Sequence, residues 1–130
     1  MDVRVRRDAE VTPLRVLVVE DDLINRKLLA HAVEAFGGVP TTAADGAEAV
    51  LIAADLPYDL VLMDLGMPNV DGYEATRRLR EGGFAGRIIA VTGELDRQEL
   101  AKVRAAGFDD LLVKPVDMDE LARRISAPAA

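Results

Sequence analysis

The chain has 130 residues, half of them apolar and 30% charged, a balance typical of one globular domain rather than of a disordered chain. Its 16 basic and 23 acidic residues give a net charge of −7, which argues against binding to nucleic acid or to anionic membranes. The sequence has no cysteine, so disulfides and zinc–thiolate sites are excluded, and we expect a cytoplasmic location.

The two ends of the chain are predicted to lie outside the folded domain. Residues 1–13 mix basic and acidic side chains without the apolar segment of a signal peptide, so we interpret them as a flexible arm. No apolar run approaches the roughly 18 residues of a membrane span. The folded domain is therefore expected at residues 14–126, with a short tail at 127–130.

Short apolar runs alternate with amphipathic segments, a pattern that indicates βα units and a parallel sheet. The predicted strands are residues 15–19, 39–43, 59–63, 87–91 and 110–113. The second contains Pro40 and is more polar than the others, so we predict that it lies at an edge. Right-handed crossovers then favour an α/β fold: a flavodoxin-like, doubly wound sheet of order 2-1-3-4-5, with five helices.

Four of the predicted helices begin with an aspartate three residues before a glutamate. The aspartate can cap the helix by accepting a backbone N–H of the first turn, and the glutamate can reach back to the backbone N–H at the cap. These pairs are Asp45 and Glu48, Asp71 and Glu74, Asp96 and Glu99, and Asp117 and Glu120. The first helix is predicted between Asp22, its cap, and Phe36. One apolar stripe should face the sheet, and the candidates are Ile24, Leu28, Ala32 and Ala35, with Leu29, Val33 and Phe36 beside them.

Polar side chains follow four of the five predicted strands. They are Glu20, Asp21 and Asp22 after the first, Asp64 after the third, Thr92 after the fourth and Lys114 after the fifth. In open α/β sheets a ligand binds beyond the carboxyl ends of the strands, where the strand order reverses. Because the first and third strands are central neighbours in the predicted order, we expect these groups to converge.

The converging acids predict a metal and a nucleophile. Glu20, Asp21 and Asp64 would repel one another unless they shared a hard cation, and an all-oxygen donor set suits Mg²⁺. An aspartate beside such a cation can attack phosphorus, and Asp64 is the candidate nucleophile. Thr92 and Lys114 could bind the phosphoryl oxygens.

Each of these residues also has a purely structural interpretation. The acids after the first strand could form a polar loop that caps the helix, and Asp64 could be an ordinary turn acid. Thr92 alone could be a β-branched strand end, and Lys114 alone a surface lysine. His31, the one histidine, has no partner of metal-ligand spacing, so we assign it no role.

Four segments of the chain resemble the receiver domain of two-component response regulators. They are VVED at 18–21, MDLGMPNVDG at 63–72, VTG at 91–93 and VKP at 113–115, in the order and spacing of that family. The resemblance extends over about residues 14–126. The segments DLINRK at 22–27 and DGYEATRR at 71–78 are most similar to receivers attached to hybrid histidine kinases.

The resemblance implies that Asp64 accepts a phosphoryl group from a phosphohistidine of a histidine kinase or a histidine phosphotransfer protein. Glu20 and Asp21 would hold Mg²⁺ with Asp64, and the carbonyl of Gly66 would complete the protein ligands. Thr92 and Lys114 would bind the phosphoryl group, and an inward movement of the threonine would switch the domain between two states. It also implies a cis Lys114–Pro115 bond.

Two positions depart from the family pattern. Leu111 occupies a position that is often aromatic in relatives, so we expect the aromatic part of the switch to be absent. Gly66 replaces a larger side chain two residues after the acceptor, which should leave the site more open to water. Because the sequence shows no domain after the fifth helix, we expect signalling by protein contact.

By the resemblance, partners would dock on the exposed side of the first helix and the loops near Asp64. An output protein, whose identity is unknown, would bind the surface of the fourth helix, fifth strand and fifth helix. Two other functions remain open from the residues. One is an interaction scaffold that never accepts phosphate, and the other is an Mg²⁺-dependent phosphohydrolase with an aspartyl-phosphate intermediate. Against the phosphohydrolase, Gly66 lies where a second general acid would be needed.

Overall fold

The computed structural model describes residues 4–7, 10–67, 70–93 and 97–126. Within these residues the chain forms seven strands: β1 (Arg4–Arg7), β2 (Glu10–Pro13), β3 (Arg15–Val19), β4 (Val39–Ala43), β5 (Leu60–Asp64), β6 (Arg87–Thr92) and β7 (Asp110–Val113). The same residues form five helices: α1 (Leu23–Ala35), α2 (Gly46–Asp55), α3 (Gly72–Glu81), α4 (Arg97–Ala106) and α5 (Met118–Ser126).

The strands from β3 onward form one parallel sheet of order β4-β3-β5-β6-β7. Numbered along the chain, this order is 2-1-3-4-5, which confirms the predicted doubly wound, flavodoxin-like α/β fold. The strand containing Pro40 lies at an edge, as predicted. Two strands extend further than expected, so that Asp64 pairs with Val91 and Thr92 with Val113 as the last residues of their ladders.

The core consists of two layers, one on each face of the sheet. The layer against α2, α3 and α4 contains the strand residues Leu17, Val19, Val61, Met63, Ile88 and Ala90. The layer against α1 and α5 contains Val16, Val18, Leu60, Leu62, Ile89 and Val91. Successive strand residues thus point to opposite, equally buried faces, which explains why the strands are continuous apolar runs.

The orientation of α1 differs from the prediction. Its buried residues are Leu29, Ala32 and Val33, whereas Ile24 and Leu28 are 68% and 58% exposed. Ala35 is exposed as well. The helix has two apolar stripes about 100° apart, and the sheet covers only one of them. The second stripe therefore remains on the surface.

The N-terminal segment also differs from the prediction. Residues interpreted as a flexible arm form the antiparallel hairpin β1–β2, with Val5 opposite Thr12 and Arg6 opposite Val11. The β-branched residues of this segment favour strands, a preference that its high charge obscured in the sequence. The tail at 127–130 lies outside the described residues.

The predicted helix caps are confirmed at three of the four acid pairs. The carboxylates of Asp45, Asp71 and Asp117 accept the backbone N–H of the glutamate three residues later at 2.8, 2.9 and 3.0 Å. The fourth candidate, Asp96, lies outside the described residues. Glu48 reaches back to the N–H of Ala44 at 3.2 Å. The other two glutamates instead pair with arginines of their own helices: Glu74 with Arg77 and Arg78, and Glu120 with Arg123 and Arg124.

Arg80, in the last turn of α3, ties three segments together. Its guanidinium donates to the carbonyls of Gly86 at 2.7 Å, Phe84 at 3.0 Å and Gly107 at 3.0 Å. It also pairs with Asp109 at 2.8 Å. These bonds join the end of α3 to the approach to β6 and to the turn before β7. In the part of the chain that the structure describes, no helix has the length and apolar character needed to cross a bilayer.

Candidate functional site

All six candidate site residues line one cleft of about 540 Å³ at the carboxyl edge of the sheet: Glu20, Asp21, Asp64, Gly66, Thr92 and Lys114. Their backbone is held by the sheet. The N–H of Glu20 donates to Ala43 at 3.1 Å, and the N–H of Lys114 donates to Thr92 at 2.7 Å. The strand pairing therefore sets the spacing of the side chains around the cleft.

Three acids meet on one side of this cleft. Carboxylate oxygens of Glu20, Asp21 and Asp64 lie within 4.8 Å of one another. Glu20 is 1% exposed and Asp64 is 5% exposed, whereas Asp21 is at the surface. Burial of Glu20, with the neighbouring charge of Asp64, raises the pKa of the Glu20 carboxyl to about 7, although Lys114 partly opposes this effect.

Lys114 is the cation of the site. Its Nζ lies 3.3 Å from Glu20 Oε2 and 3.4 Å from Asp64 Oδ1. Burial disfavours the charged ammonium, but the two carboxylates outweigh that effect, and the pKa of Lys114 lies above its ordinary value. The Lys114–Pro115 peptide bond is cis, as the resemblance implies.

Gly66 and Gly72 shape the surroundings of Asp64 in opposite ways. The N–H of Gly66 donates to Asp64 Oδ1 at 3.2 Å, and among the described residues a Cβ added to Gly66 would meet only that oxygen, at 4.0 Å. The mouth of the cleft is therefore open at Gly66. A Cβ at Gly72 would lie 2.4 Å from the carbonyl oxygen of Asp64, so the start of α3 can approach β5 only with glycine.

Asp22 is the cap of α1, as predicted, because its carboxylate accepts the N–H of Asn25 at 3.0 Å. Its own N–H donates to Glu20 Oε1 at 3.3 Å. The other Glu20 oxygen, Oε2, is buried; it accepts no hydrogen bond of good geometry among the described residues, and its ion-pair partner is Lys114 Nζ at 3.3 Å. A buried carboxylate oxygen in this condition favours a cation as its partner.

The donor set fits Mg²⁺. Three carboxylates converge, Glu20 and Asp64 are buried with a single ammonium among the described residues, that of Lys114, beside them, and Gly66 lies next to Asp64 without a side chain that would block the cleft. Hard oxygen ligands are those that Mg²⁺ prefers. Glu20, Asp21, Asp64 and the Gly66 carbonyl are thus the residues that could hold it.

The structure adds three residues that the sequence analysis did not assign to the site. Asn25 and Tyr73 line the cleft, and the Tyr73 ring packs edge-on against Phe108, with centroids 6.0 Å apart and an interplanar angle of 87°. Arg26 contacts the backbone of the acidic pair. All three lie in the segments 22–27 and 71–78, which are similar to hybrid-kinase receivers. That similarity is the sequence signal that could have pointed to them.

A second groove, of about 410 Å³, adjoins the cleft along α1. It is lined by Leu28, Leu29, Val91, Pro115, Val116 and Met118, and shares Glu20, Asn25 and Lys114 with the site. Leu28 is 58% exposed and Met118 is 46% exposed. The uncovered apolar stripe of α1 therefore continues to the edge of the polar site.

Comparison with known proteins gives the class. Residues 16–126 match the family model described as "Response regulator receiver domain". The chain belongs to this family, whose members are signalling phosphoacceptors of two-component and phosphorelay systems that bind Mg²⁺.

Individual relatives include both long sensor kinases and short regulators. The chain is 36% identical over 116 residues to the sensor histidine kinase RcsC of Salmonella typhi, with 89% of this chain matched but only 12% of the kinase. It is 43% identical over 112 residues to the two-component response regulator ORR41 of Oryza sativa subsp. japonica, covering 83% of this chain and 88% of that protein.

A similar solved structure contains the metal. The receiver domain of the sensor histidine kinase PA1611 from Pseudomonas aeruginosa PAO1, with magnesium coordinated in its active-site cleft, has a TM-score of 0.81 and 34% sequence identity. The match covers 88% of this chain and 95% of that one. In this chain the acidic cluster of Glu20, Asp21 and Asp64 lies in the cleft described above.

Proposed function

We propose that this domain accepts a phosphoryl group on Asp64 from a phosphohistidine of a partner protein, in an Mg²⁺-dependent reaction. The observation that carries the proposal is the setting of Asp64. It is buried at a strand end, within 4.8 Å of two other acids by carboxylate oxygens and 3.4 Å from Lys114 Nζ. The Asp64 carboxylate therefore has the ammonium of Lys114 on one side and the carboxylates of Glu20 and Asp21 on the other.

The proposed transfer forms one bond and breaks one. An Asp64 carboxylate oxygen attacks the phosphorus, and the phosphorus–nitrogen bond of the phosphohistidine breaks with its electron pair on the imidazole nitrogen. Thr92 and Lys114 bind oxygens of the phosphoryl group through a hydroxyl and an ammonium. Loss of the phosphoryl group follows when a water oxygen attacks phosphorus and Asp64 leaves as a carboxylate.

Glu20, Asp21, Asp64 and the carbonyl of Gly66 are the proposed Mg²⁺ ligands. When bound, Mg²⁺ supplies positive charge that offsets the negative charge of the acids and of the phosphoryl oxygens. The convergence of the three carboxylates, two of them buried, supports this assignment.

We also propose that partners dock where the apolar stripe meets the polar site. Ile24 and Leu28 of α1 form an exposed apolar surface, and the groove beside them leads to Glu20 and Lys114. The expected partners are a histidine kinase or a histidine phosphotransfer protein. The surface of α4, β7 and α5 is the proposed contact for an output protein.

Leu111 defines the proposed switch. It is half-buried and packs against the core layer that contains Val103 of α4. Without an aromatic ring at this position, Thr92 is expected to move without a rotamer change at Leu111. Crystal structures with and without a phosphoryl mimic would test this, and a large rotamer change at Leu111 would contradict it.

Intact-protein mass spectrometry after incubation with Mg²⁺ and a small-molecule phosphodonor tests the main proposal. We expect a mass increase of one phosphoryl group, absent from Asp64→Asn and absent when Mg²⁺ is chelated. Asp55→Asn, at an exposed aspartate at the end of α2, is the matched control and should be modified like the parent. No adduct from this donor or from a phosphorylated histidine phosphotransfer protein would favour the phosphate-independent scaffold. Repeated turnover of small phosphate esters would favour the phosphohydrolase.

A further inference from the structure

Arg26, in the first turns of α1, points back toward the loop that precedes its own helix. A single guanidinium nitrogen, Nη1, donates to the carbonyl of Glu20 at 3.0 Å and lies 3.4 Å from the carbonyl of Asp21. The side chain is half-buried. One cation thus contacts the backbone of two successive acidic residues.

The loop needs such a donor because its carbonyls fall between two regular elements. β3 ends at Val19 and α1 begins at Leu23. The carbonyl of Asp22 is the first to accept a helical bond, from the N–H of Arg26 at 2.8 Å. The carbonyls of Glu20 and Asp21 precede that bond and belong to neither the helix nor the ladder of β3, so the guanidinium holds them instead.

We infer that Arg26 is a positioning residue for the metal-binding acids: by fixing the backbone of Glu20 and Asp21 it increases the affinity of the cleft for Mg²⁺. This inference rests on the proposed function. Bonds from a charged donor are stronger than neutral ones, and the planar guanidinium limits how the two peptide groups can rotate. Rotation of either peptide would redirect a carboxylate away from Asp64.

The sign of the effect separates positioning from simple electrostatics. A positive guanidinium repels Mg²⁺, so an Arg26 that acted only as a charge would weaken metal binding, and its removal would tighten it. An Arg26 that positions the acids has the opposite effect, because its removal loosens two ligands. Loss of groups that orient metal ligands commonly costs 10- to 100-fold in affinity.

Titration of the metal-free protein with Mg²⁺ by isothermal calorimetry tests the inference. We expect Arg26→Gln to bind Mg²⁺ about tenfold more weakly than the parent, and Arg26→Lys to recover part of the loss because an ammonium can still donate to a carbonyl. Lys27→Gln makes the same charge change at an exposed neighbour on α1 and should bind like the parent. In NMR spectra of the metal-free protein, the amide signals of residues 20–22 should shift in Arg26→Gln and not in Lys27→Gln.

The outcomes are distinguishable. If the parent binds no Mg²⁺, the proposed function and this inference both fail. If the parent binds Mg²⁺ and Arg26→Gln, shown to be folded by urea unfolding, binds it equally well or more tightly, this inference alone fails. Weaker binding by Arg26→Gln with partial rescue by Arg26→Lys supports it.

Discussion

Burial of Glu20 makes the stability of the metal-free protein depend on pH. Its pKa in the folded protein is about 7, against an ordinary value of 4.5, because burial and Asp64 disfavour the charged form. The folded state then binds this proton more tightly than the unfolded state does. The contribution of Glu20 to the free energy of unfolding is therefore most favourable at low pH. It falls as the pH rises from about 4.5 to about 7 and then levels off.

Glu20→Gln removes this dependence, since glutamine has nearly the same shape and no charge. The difference of about 2.5 pKa units, at about 1.4 kcal/mol per unit, amounts to about 3 kcal/mol. We expect the variant to be more stable than the parent by this amount at pH 8. The advantage should be smaller by roughly 2–3 kcal/mol at pH 5, where Glu20 of the folded parent is neutral.

Urea unfolding followed by circular dichroism at pH 5, 6, 7 and 8, with a chelator present, measures the difference. Glu34→Gln, at an exposed glutamate on α1, is the control and should follow the parent at every pH. Mg²⁺ at about 100 times its Kd should add about 2.7 kcal/mol to the parent at pH 8 and much less to Glu20→Gln. A stability difference between Glu20→Gln and parent that is constant from pH 5 to pH 8 would refute the reasoning.

Three further substitutions test other parts of the structure. Gly66→Gln should slow the decay of the phosphorylated protein, followed by mass spectrometry, because its side chain would fill the open mouth of the cleft; equal decay rates would refute this. Arg80→Ala should lower the free energy of unfolding by about 2–3 kcal/mol in urea, since it leaves three carbonyls and a carboxylate without their shared donor. Gly72→Ala should lower the free energy of unfolding by about 2 kcal/mol, because the new methyl group meets the Asp64 carbonyl, whereas Gly93→Ala, with no described atom within 4 Å, should unfold like the parent. Equal stability of the two alanine variants would contradict the crowding at position 72.

Much of the fold could be predicted because the relevant signals are local. Continuous apolar runs mark strands buried on both faces, and the polar residue after each run marks the edge where a ligand binds. The convergence of Glu20, Asp64 and Lys114 follows from strand order alone. This prediction needs no knowledge of side-chain contacts between the strands and helices.

Other features depend on tertiary contacts that leave no pattern in the sequence. The apolar stripe of α1 that faces the sheet could not be chosen from the sequence, because Leu28 and Leu29 belong to two stripes of similar character. The bonds from Arg26 end on backbone carbonyls, which every residue possesses. The crowding at Gly72 likewise depends on how closely α3 approaches β5.

The close approach at Gly72 gives the cleft one stiff wall, on the side of α3. On the stiff wall, the first residue of α3 lies so close to the backbone of Asp64 that an added carbon would be 2.4 Å from its oxygen. On the opposite side, after Thr92, the same construction at Gly93 meets no atom of the described residues within 4 Å. A close-packed wall transmits strain, whereas free volume allows displacement. The start of α3 is therefore the fixed side of the cleft, against which a group added to Asp64 would be held.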